Sequence, residues 1–453
     1  MAEILPLRGY IYNSKKAGDM SKVMSPPYDV ISPEFQETLY QRHSYNIVRL
    51  EFGKTSADDT SENNRYSRSK KDFEDWKEKN IIERDAQPAI YYYTQTYKLK
   101  SGETKTRKGF IALAKLEDFG SGKIHPHERT LAGPKADRLN LMKTCKANFS
   151  CIFSLYSEPK KEINKILETN AKGTPIIDAQ DDDSVINRMW RIDNPEIIKD
   201  VMERMKDNAL FIADGHHRYE TALNYRNMMI EQSKNWTGRE AFNYVMMYFS
   251  NMDDEGMTIF PTHRIIHSVP DFISNAFLVN CSNFFDIHEI KFNDEKEPEI
   301  RKAFYERFKE MEKEPVSSFG LAIKGMNSYF ILKLKSKDIM EQVFGNTIPD
   351  VFKSLDVTVL HSLILNKILG LSQKSQENQE NLVYVKDTDE ALNTLKNGNN
   401  QIVFLLHPTK IGQVKAVAKA GHVMPQKSTY FYPKLATGIV INSVEESEIV
   451  AAI

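Results

Sequence analysis

Cysteine is nearly missing from this chain: Cys145, Cys151 and Cys281 are the only three in 453 residues. They form no C-x-x-C pair, which excludes a disulfide framework and a zinc ribbon and suits a reducing compartment. No apolar run approaches the roughly eighteen residues that span a bilayer. Met1-Ala-Glu-Ile-Leu-Pro also lacks the basic and apolar regions of a signal peptide. The expectation is a cytoplasmic protein with no membrane partner. A basic excess is missing as well, with 61 Lys and Arg against 62 Asp and Glu. The clusters at 68–71 and 105–108 are flanked by acids, so no nucleic-acid partner is expected. Glycine is missing where a P-loop requires it: Val48 stands in for the first glycine before Gly53-Lys54-Thr55, and Gln426 precedes Lys427-Ser428. There is no G-x-S-x-G, and no cysteine adjoins the histidine pairs, so nothing points to covalent catalysis.

The composition that remains is ordinary for a globular protein, 41% hydrophobic and 27% charged, with length for two or three domains. The pattern predicts an N-terminal α/β unit at 1–85, a core at 86–255 and a C-terminal α+β region at 256–453. In the first, a strand is expected over Asn46–Phe52 and a helix over Lys71–Asn80. In the core, 89–99 and 109–116 read as a hairpin turning at Ser101-Gly102. Further strands are expected at 149–156, 185–192 and 244–252, the last central in its sheet, with helices at 160–170 and 195–206. In the last third, 319–334 reads as a hairpin, 359–369 as an apolar helix, 372–381 as a polar linker, 402–406 as a strand and 409–420 as a helix. Strands joined as hairpins and interspersed with helices predict an α+β fold of mixed, largely antiparallel sheets with packed helices.

The most informative run is Ile212-Ala213-Asp214-Gly215-His216-His217-Arg218. A short apolar strand stops at Asp-Gly, and a helical segment follows at once. Such a junction leaves backbone N–H groups unpaired and pointing outward, where they and the helix dipole attract an anion. Arg218 can add paired contacts to a phosphate and the histidines a further donor. Asp214, at the strand end, suits Mg²⁺ or its waters. A helix-capping Asp214 is the plainer alternative.

A second run, His125-Pro126-His127-Glu128-Arg129-Thr130, places a carboxylate beside a proline-fixed turn. Glu128 suits a general base, a metal site shared with His125 and His127, or a simple capping acid. Its spacing is not that of H-E-x-x-H. Close behind, Gly133-Pro134-Lys135-Ala136-Asp137-Arg138 opens a helix and offers Lys135 and Arg138 to a phosphate or a substrate carboxylate. Pro26-Pro27-Tyr28-Asp29 and Pro261-Thr262-His263-Arg264 suit either substrate orientation (Tyr28, Asp29) or structure. The aromatic, lysine-bearing run Met424–Lys434 suits core packing or a lid.

Over nearly its whole length the chain resembles a family described only as a domain of unknown function. The matching stretches are 26–31, 127–130, 213–219, 355–361 (Leu-Asp-Val-Thr-Val-Leu-His) and 424–429 (Met-Pro-Gln-Lys-Ser-Thr). Pro126-His127-Glu128 followed by Asp214–Arg218 is also similar to the free-serine kinases of the ParB/sulfiredoxin-like superfamily. That resemblance implies a ParB/sulfiredoxin-like catalytic core with additional N- and C-terminal regions. It implies transfer of a phosphoryl group from ATP or ADP to the hydroxyl of free L-serine, giving O-phospho-L-serine. It further implies Glu128 as catalytic base with His127 beside it, Asp214 with Mg²⁺, and Gly215, His216, His217 and Arg218 on the nucleotide phosphates. The small kinases carry their two motifs close together, whereas here 160–195 reads as inserted structure between them. Sulfiredoxins carry a cysteine in the equivalent loop, and this chain has none there.

The functional expectation is therefore a free-serine kinase with Mg²⁺ and ATP or ADP, in which Arg138 is the candidate for the serine carboxylate. A metal-dependent hydrolase built on the His/Glu cluster and a nucleotide-binding regulator without turnover are the alternatives.

Overall fold

A computed structural model describes residues 2–126, 132–233, 235–396, 398–425 and 427–450. They form two compact units. One takes the residues up to Pro126, those from 132 to Thr258 and those from Phe431 onward; the other is Ile259–Tyr430.

The first unit is built on a nine-stranded sheet. Its strands are β1 (Ile4–Leu5), β2 (Ile90–Lys98), β3 (Thr104–Lys115), β4 (Ile124–His125), β5 (Ile152–Tyr156), β6 (Ile177–Gln180), β7 (Ile186–Ile192), β8 (Leu210–Asp214) and β9 (Tyr244–Asn251). Their order is β4-β8-β5-β9-β3-β2-β7-β6, with β1 also paired to β3. Only β4–β8 and β5–β9 are parallel. The expected hairpin is present, with Tyr91 opposite Ile111 and Lys98 opposite Thr104. β9 is buried at all eight positions and lies inside the sheet, as its unbroken apolar run predicts.

The helices of the unit include α1 (Arg65–Glu78), α2 (Ala132–Cys145), α3 (Glu162–Asn170), α4 (Pro195–Met205) and α5 (His216–Gln232). The 3.6-residue period of α4 turns Ile198, Val201 and Met205 inward, and α5 contributes Tyr219, Ala222 and Met229 to the same core. There they meet every second residue of β3 and β9, including the stacked rings of Phe110 and Phe249 at 5.0 Å.

The second unit has a six-stranded, wholly antiparallel sheet: β10 (His263–His267), β11 (Phe285–Lys291), β12 (Ser318–Ile323), β13 (Ser328–Leu334), β14 (Leu382–Val385) and β15 (Asn400–Leu405), ordered β11-β13-β12-β15-β10-β14. Helices α6 (Ser274–Ser282), α7 (Glu297–Glu310) and α8 (Ile411–Lys419) flank it. The chain is thus α+β with mixed, largely antiparallel sheets, as expected.

Two local expectations need correction. Asn46–Phe52 is not a strand: Val48–Glu51 is a helical turn. Asn46 accepts from Val48 N (3.0 Å) and donates to the carbonyls of Lys22 and Met24 (2.7 and 3.0 Å), which holds the turn against the local β propensity. Residues 372–381 are not simply a linker, because Ser372 caps a short helix, Gln373–Glu377. The apolar helix expected at 359–369 is present, wound as a π-helix over Val359–Ile368.

Candidate functional site

The strand–glycine–helix junction forms as the sequence predicts. β8 ends at Asp214, and α5 starts at His216. Gly215 is the N-cap at φ 91°, a left-handed conformation that glycine alone adopts without strain. Gly215 itself brings no side chain to cap this 17-residue helix. The first turn of α5 therefore lies at the positive end of the helix dipole.

Asp214 is held between two cations. Arg218, one turn on, donates from Nη2 to Asp214 Oδ2 at 3.0 Å. Lys434 Nζ donates to Oδ1 from the far end of the chain. The three side chains are 20%, 12% and 16% exposed. Burial opposes ionisation of Asp214, but Lys434 first and Arg218 second outweigh it and hold the carboxyl well below its usual range. The trio carries one positive charge in excess.

A second cluster backs the first. Arg138, 5% exposed, lies with its guanidinium carbon 4.1 Å from the centre of the Tyr28 ring. It pairs with Asp137 Oδ2 (2.5 Å) and Glu51 Oε1 (3.3 Å), and Ser150 Oγ donates to the same Glu51 oxygen at 2.8 Å. Burial pushes the Tyr28 hydroxyl up to about 12, against the pull of Arg138 and then Arg218. Burial lowers the Arg218 pKa, but Asp214, Tyr28, Glu51 and Asp29 in turn raise it above its usual value. A cavity of about 40 Å³, bounded by Glu51, Arg138, Ser150, Arg218 and Thr221, lies among these groups. It has room for a water and not for a nucleotide.

The structure thus brings Tyr28, Asp29, Arg138, Asp214, Gly215 and Arg218 into one neighbourhood. His216 is buried and His217 partly exposed at the start of α5. Lys135 ties α2 to α5 through Glu220 at 2.8 Å. His127 and Glu128 lie outside the described residues. His125 stacks on Phe211, 5.1 Å between ring centres. Among the described residues no three metal-binding side chains come together.

Two contributors escaped the sequence. Glu51 sits in the segment expected to be a strand. Lys434 belongs to a run expected to pack a core or form a lid. Phe431 of that run does pack on Phe153 (5.7 Å), while Lys434 reaches the carboxylate. The Lys434 backbone is fixed by Gln95, whose Nε2 donates to Lys434 O and to Asn187 Oδ1 at 3.0 Å each. Gln95 Oε1 in turn accepts from Arg107. Arg107 is 1% exposed and stacks on Phe153 and Tyr248 at 4.5 and 5.6 Å. Its Nε and Nη1 have no partner among the described residues.

These features define an α+β protein with a cation-rich strand–glycine–helix junction. The chain belongs to the family described as "Protein of unknown function (DUF1015)", whose signature matches residues 4–358. This is the membership that the sequence motifs predicted. Solved structures similar to the chain include a conserved hypothetical protein from Pyrococcus furiosus: 14% identity, 72% of this chain and 92% of that one, TM-score 0.32. A free serine kinase variant in complex with ADP shows 11% identity over 71% of this chain and 87% of that one, TM-score 0.34. SbnI with a C-terminal truncation, from Staphylococcus aureus, shows 9% identity over 75% and 91%, TM-score 0.34. A comparison with curated proteins finds no match. No helix among the described residues is long and apolar enough to cross a membrane.

Proposed function

We propose that the protein is a small-molecule kinase that transfers a phosphoryl group from ATP or ADP to the hydroxyl of free L-serine, from a ParB/sulfiredoxin-like core within residues 86–255. The observation that carries this reading is the excess positive charge of Asp214, Arg218 and Lys434 at the glycine-led start of α5. Phosphoryl transfer needs alignment and charge neutralisation more than covalent chemistry. The amides of His216 and His217 and the cations Arg218 and Lys434 bind the nucleotide phosphates. His216 and His217 add side-chain donors, and Lys135 supports α5 from behind.

The donor set suits Mg²⁺ in the way that cation is usually held, by one ionised carboxylate together with phosphate oxygens and waters. Asp214 is that carboxylate, and the cation would supply charge neutralisation on the transferred group. Arg218 and Lys434 then exchange Asp214 for phosphate oxygens, which keeps every charge compensated. Glu128, with His127 beside it, accepts the serine hydroxyl proton; this assignment rests on the Pro-His-Glu resemblance. Arg138 is the candidate for the serine carboxylate. Its pairing with Glu51 and Asp137 means that it would have to release one of them, with Tyr28 and Asp29 beside it.

The test incubates the full chain with ATP or ADP, Mg²⁺ and a panel of free amino acids, with mass spectrometry for the phosphorylated product. Phosphoserine from the wild type, lost in Glu128→Gln while nucleotide binding persists, is the expected outcome. No phosphorylated acceptor with either donor would refute the kinase. Full biological activity in a Glu128→Gln variant would favour a nucleotide-binding regulator.

A further inference from the structure

The second unit holds a cavity of about 350 Å³ that the kinase reading leaves unused. It lies at the end of the six-stranded sheet where β12 begins and β13 and β15 finish, since Ser317, Leu334 and His407 all line it. Lys410, just ahead of α8, and Asp356, which opens the helical turn before the π-helix, line it as well. Asp356 belongs to the run 355–361, which has no role at the anion site. Met311, Pro315, Val316 and Pro408 give the cavity an apolar side.

The charges around this cavity are only partly paired. Lys353 is paired with Asp350 at 2.6 Å and with Glu341, and Glu314 with Lys333 at 2.7 Å. Two acids, Glu312 and Asp356, and two lysines, Lys337 and Lys410, are left, and none of the four is in an ion pair among the described residues. Lys410 Nζ donates to the carbonyl of Glu312 instead, at 3.5 Å. His407 adds no charge: its Nε2 shares a hydrogen bond with Ser318 Oγ at 3.0 Å, and burial, then Lys410, push its pKa down to about 4.

Asp356 is the group most in need of a partner. Burial pushes its carboxyl up to about 6, Ser317 and then Lys410 draw it down, and Glu312 pushes it up again. Lys410 is near enough to be felt and too far away to pair, so a gap separates the two charges. A carboxylate oxygen closed off from solvent with no hydrogen bond would be an unsatisfied buried atom, and Asp356 has none. An oxygen that Ser317 leaves unmet therefore opens on the cavity that Asp356 lines.

This pattern selects a class of ligand. An anion would leave Glu312 and Asp356 without a partner, and a cation would leave Lys337 and Lys410 without one. A molecule that is neutral overall and carries its two charges apart answers both ends. The volume falls at the lower end of small-ligand sites, roughly 300–1,000 Å³, and the apolar side has room for a short hydrocarbon group.

We propose that this cavity binds a free α-amino acid with an apolar side chain, its ammonium on Asp356 and its carboxylate on Lys410. The site is independent of the kinase reading, since every residue that lines it belongs to Ile259–Tyr430.

The test titrates the full-length protein with leucine, isoleucine, valine, methionine and phenylalanine by calorimetry. The N-acetyl derivative of the binder, which lacks the ammonium, and its carboxamide, which lacks the carboxylate, follow. At least one amino acid is expected to bind, and both derivatives at least tenfold more weakly. Asp356→Asn and Lys410→Met should each weaken binding about tenfold or more, the scale of one charge-assisted hydrogen bond. Asp214→Asn should leave it unchanged. Failure of every amino acid to bind the wild type would overturn the proposal. So would a derivative that binds as well as its parent, an affinity unchanged in Asp356→Asn, or binding that disappears in Asp214→Asn. If Asp356→Asn does not fold, the exposed Lys410 decides: unchanged affinity in Lys410→Met overturns the proposal, and weakened affinity supports it.

Discussion

Asp214→Asn replaces a carboxylate shared by two cations with a neutral amide of the same shape. Arg218 lies 3.0 Å away, and Lys434 is paired on the other oxygen. At an effective dielectric of 20, a unit pair at that distance interacts by about 5 kcal/mol. The neutral amide no longer has to be desolvated as an ion, still hydrogen-bonds, and sits with its partners at 12–20% exposure. Two cations are then left facing each other. The net loss, scaled from buried pairs that lose one member, is about 2–4 kcal/mol. For a unit of this size that lowers Tm by roughly 5–12 °C. The pH dependence carries a sign. Because the Asp214 pKa in the folded state is depressed, its stabilisation is complete above the unfolded value of about 3.9 and is lost only as pH falls from there toward the folded value. Thermal unfolding of wild type and variant should therefore show a constant gap from pH 7 to 5 that narrows below pH 4. A Tm within about 1 °C of wild type at pH 7, or a gap already closed at pH 5, would show that the carboxylate is not held as described.

Other expectations follow from neighbouring residues. Gly215→Ala forces a side chain into φ 91° and sets its Cβ 2.9 Å from Arg218 Nη2, so the denaturation midpoint should fall by about 1–2 kcal/mol in stability and the ADP affinity should drop with it; an unaffected midpoint would refute the strain. Lys434→Met should weaken ADP binding about tenfold, most at low salt, because Arg218 remains to compensate Asp214; calorimetry at two ionic strengths reads this, and unaltered affinity would remove Lys434 from the site. Arg107→Met should change stability by less than about 1 kcal/mol in urea, since a buried guanidinium with two unpaired nitrogens contributes little beyond its stacking on Phe153 and Tyr248; a loss above about 3 kcal/mol would mean that its bond to Gln95 is structurally essential.

The junction at Asp214 was legible because its signal is local: apolar strand, Asp-Gly, then helix, all within ten residues. The 90–115 hairpin and the buried β9 were legible for the same reason, their period or unbroken apolarity being decided by neighbours in sequence. Asn46–Phe52 was misread because its Val, Ile and Phe favour a strand, and only the tie from Asn46 to Lys22 and Met24 turns it into a helix. That turn carries Glu51, so the acid facing Arg138 was missed with it. Lys434 sits within an aromatic run, yet its bond to Asp214 spans 220 positions. No local pattern reports a contact of that range.

The same long reach has a bearing on biosynthesis. Residues 259–430 interrupt the first unit, and its closing segment starts only at Phe431. A nascent or nicked chain that stops short of this segment keeps the whole Asp-Gly-His-His-Arg motif but has one cation where the finished molecule has two. Its charge surplus is then zero. The motif would be present with its affinity for anions reduced, and the full charge would arrive only once synthesis had passed residue 434.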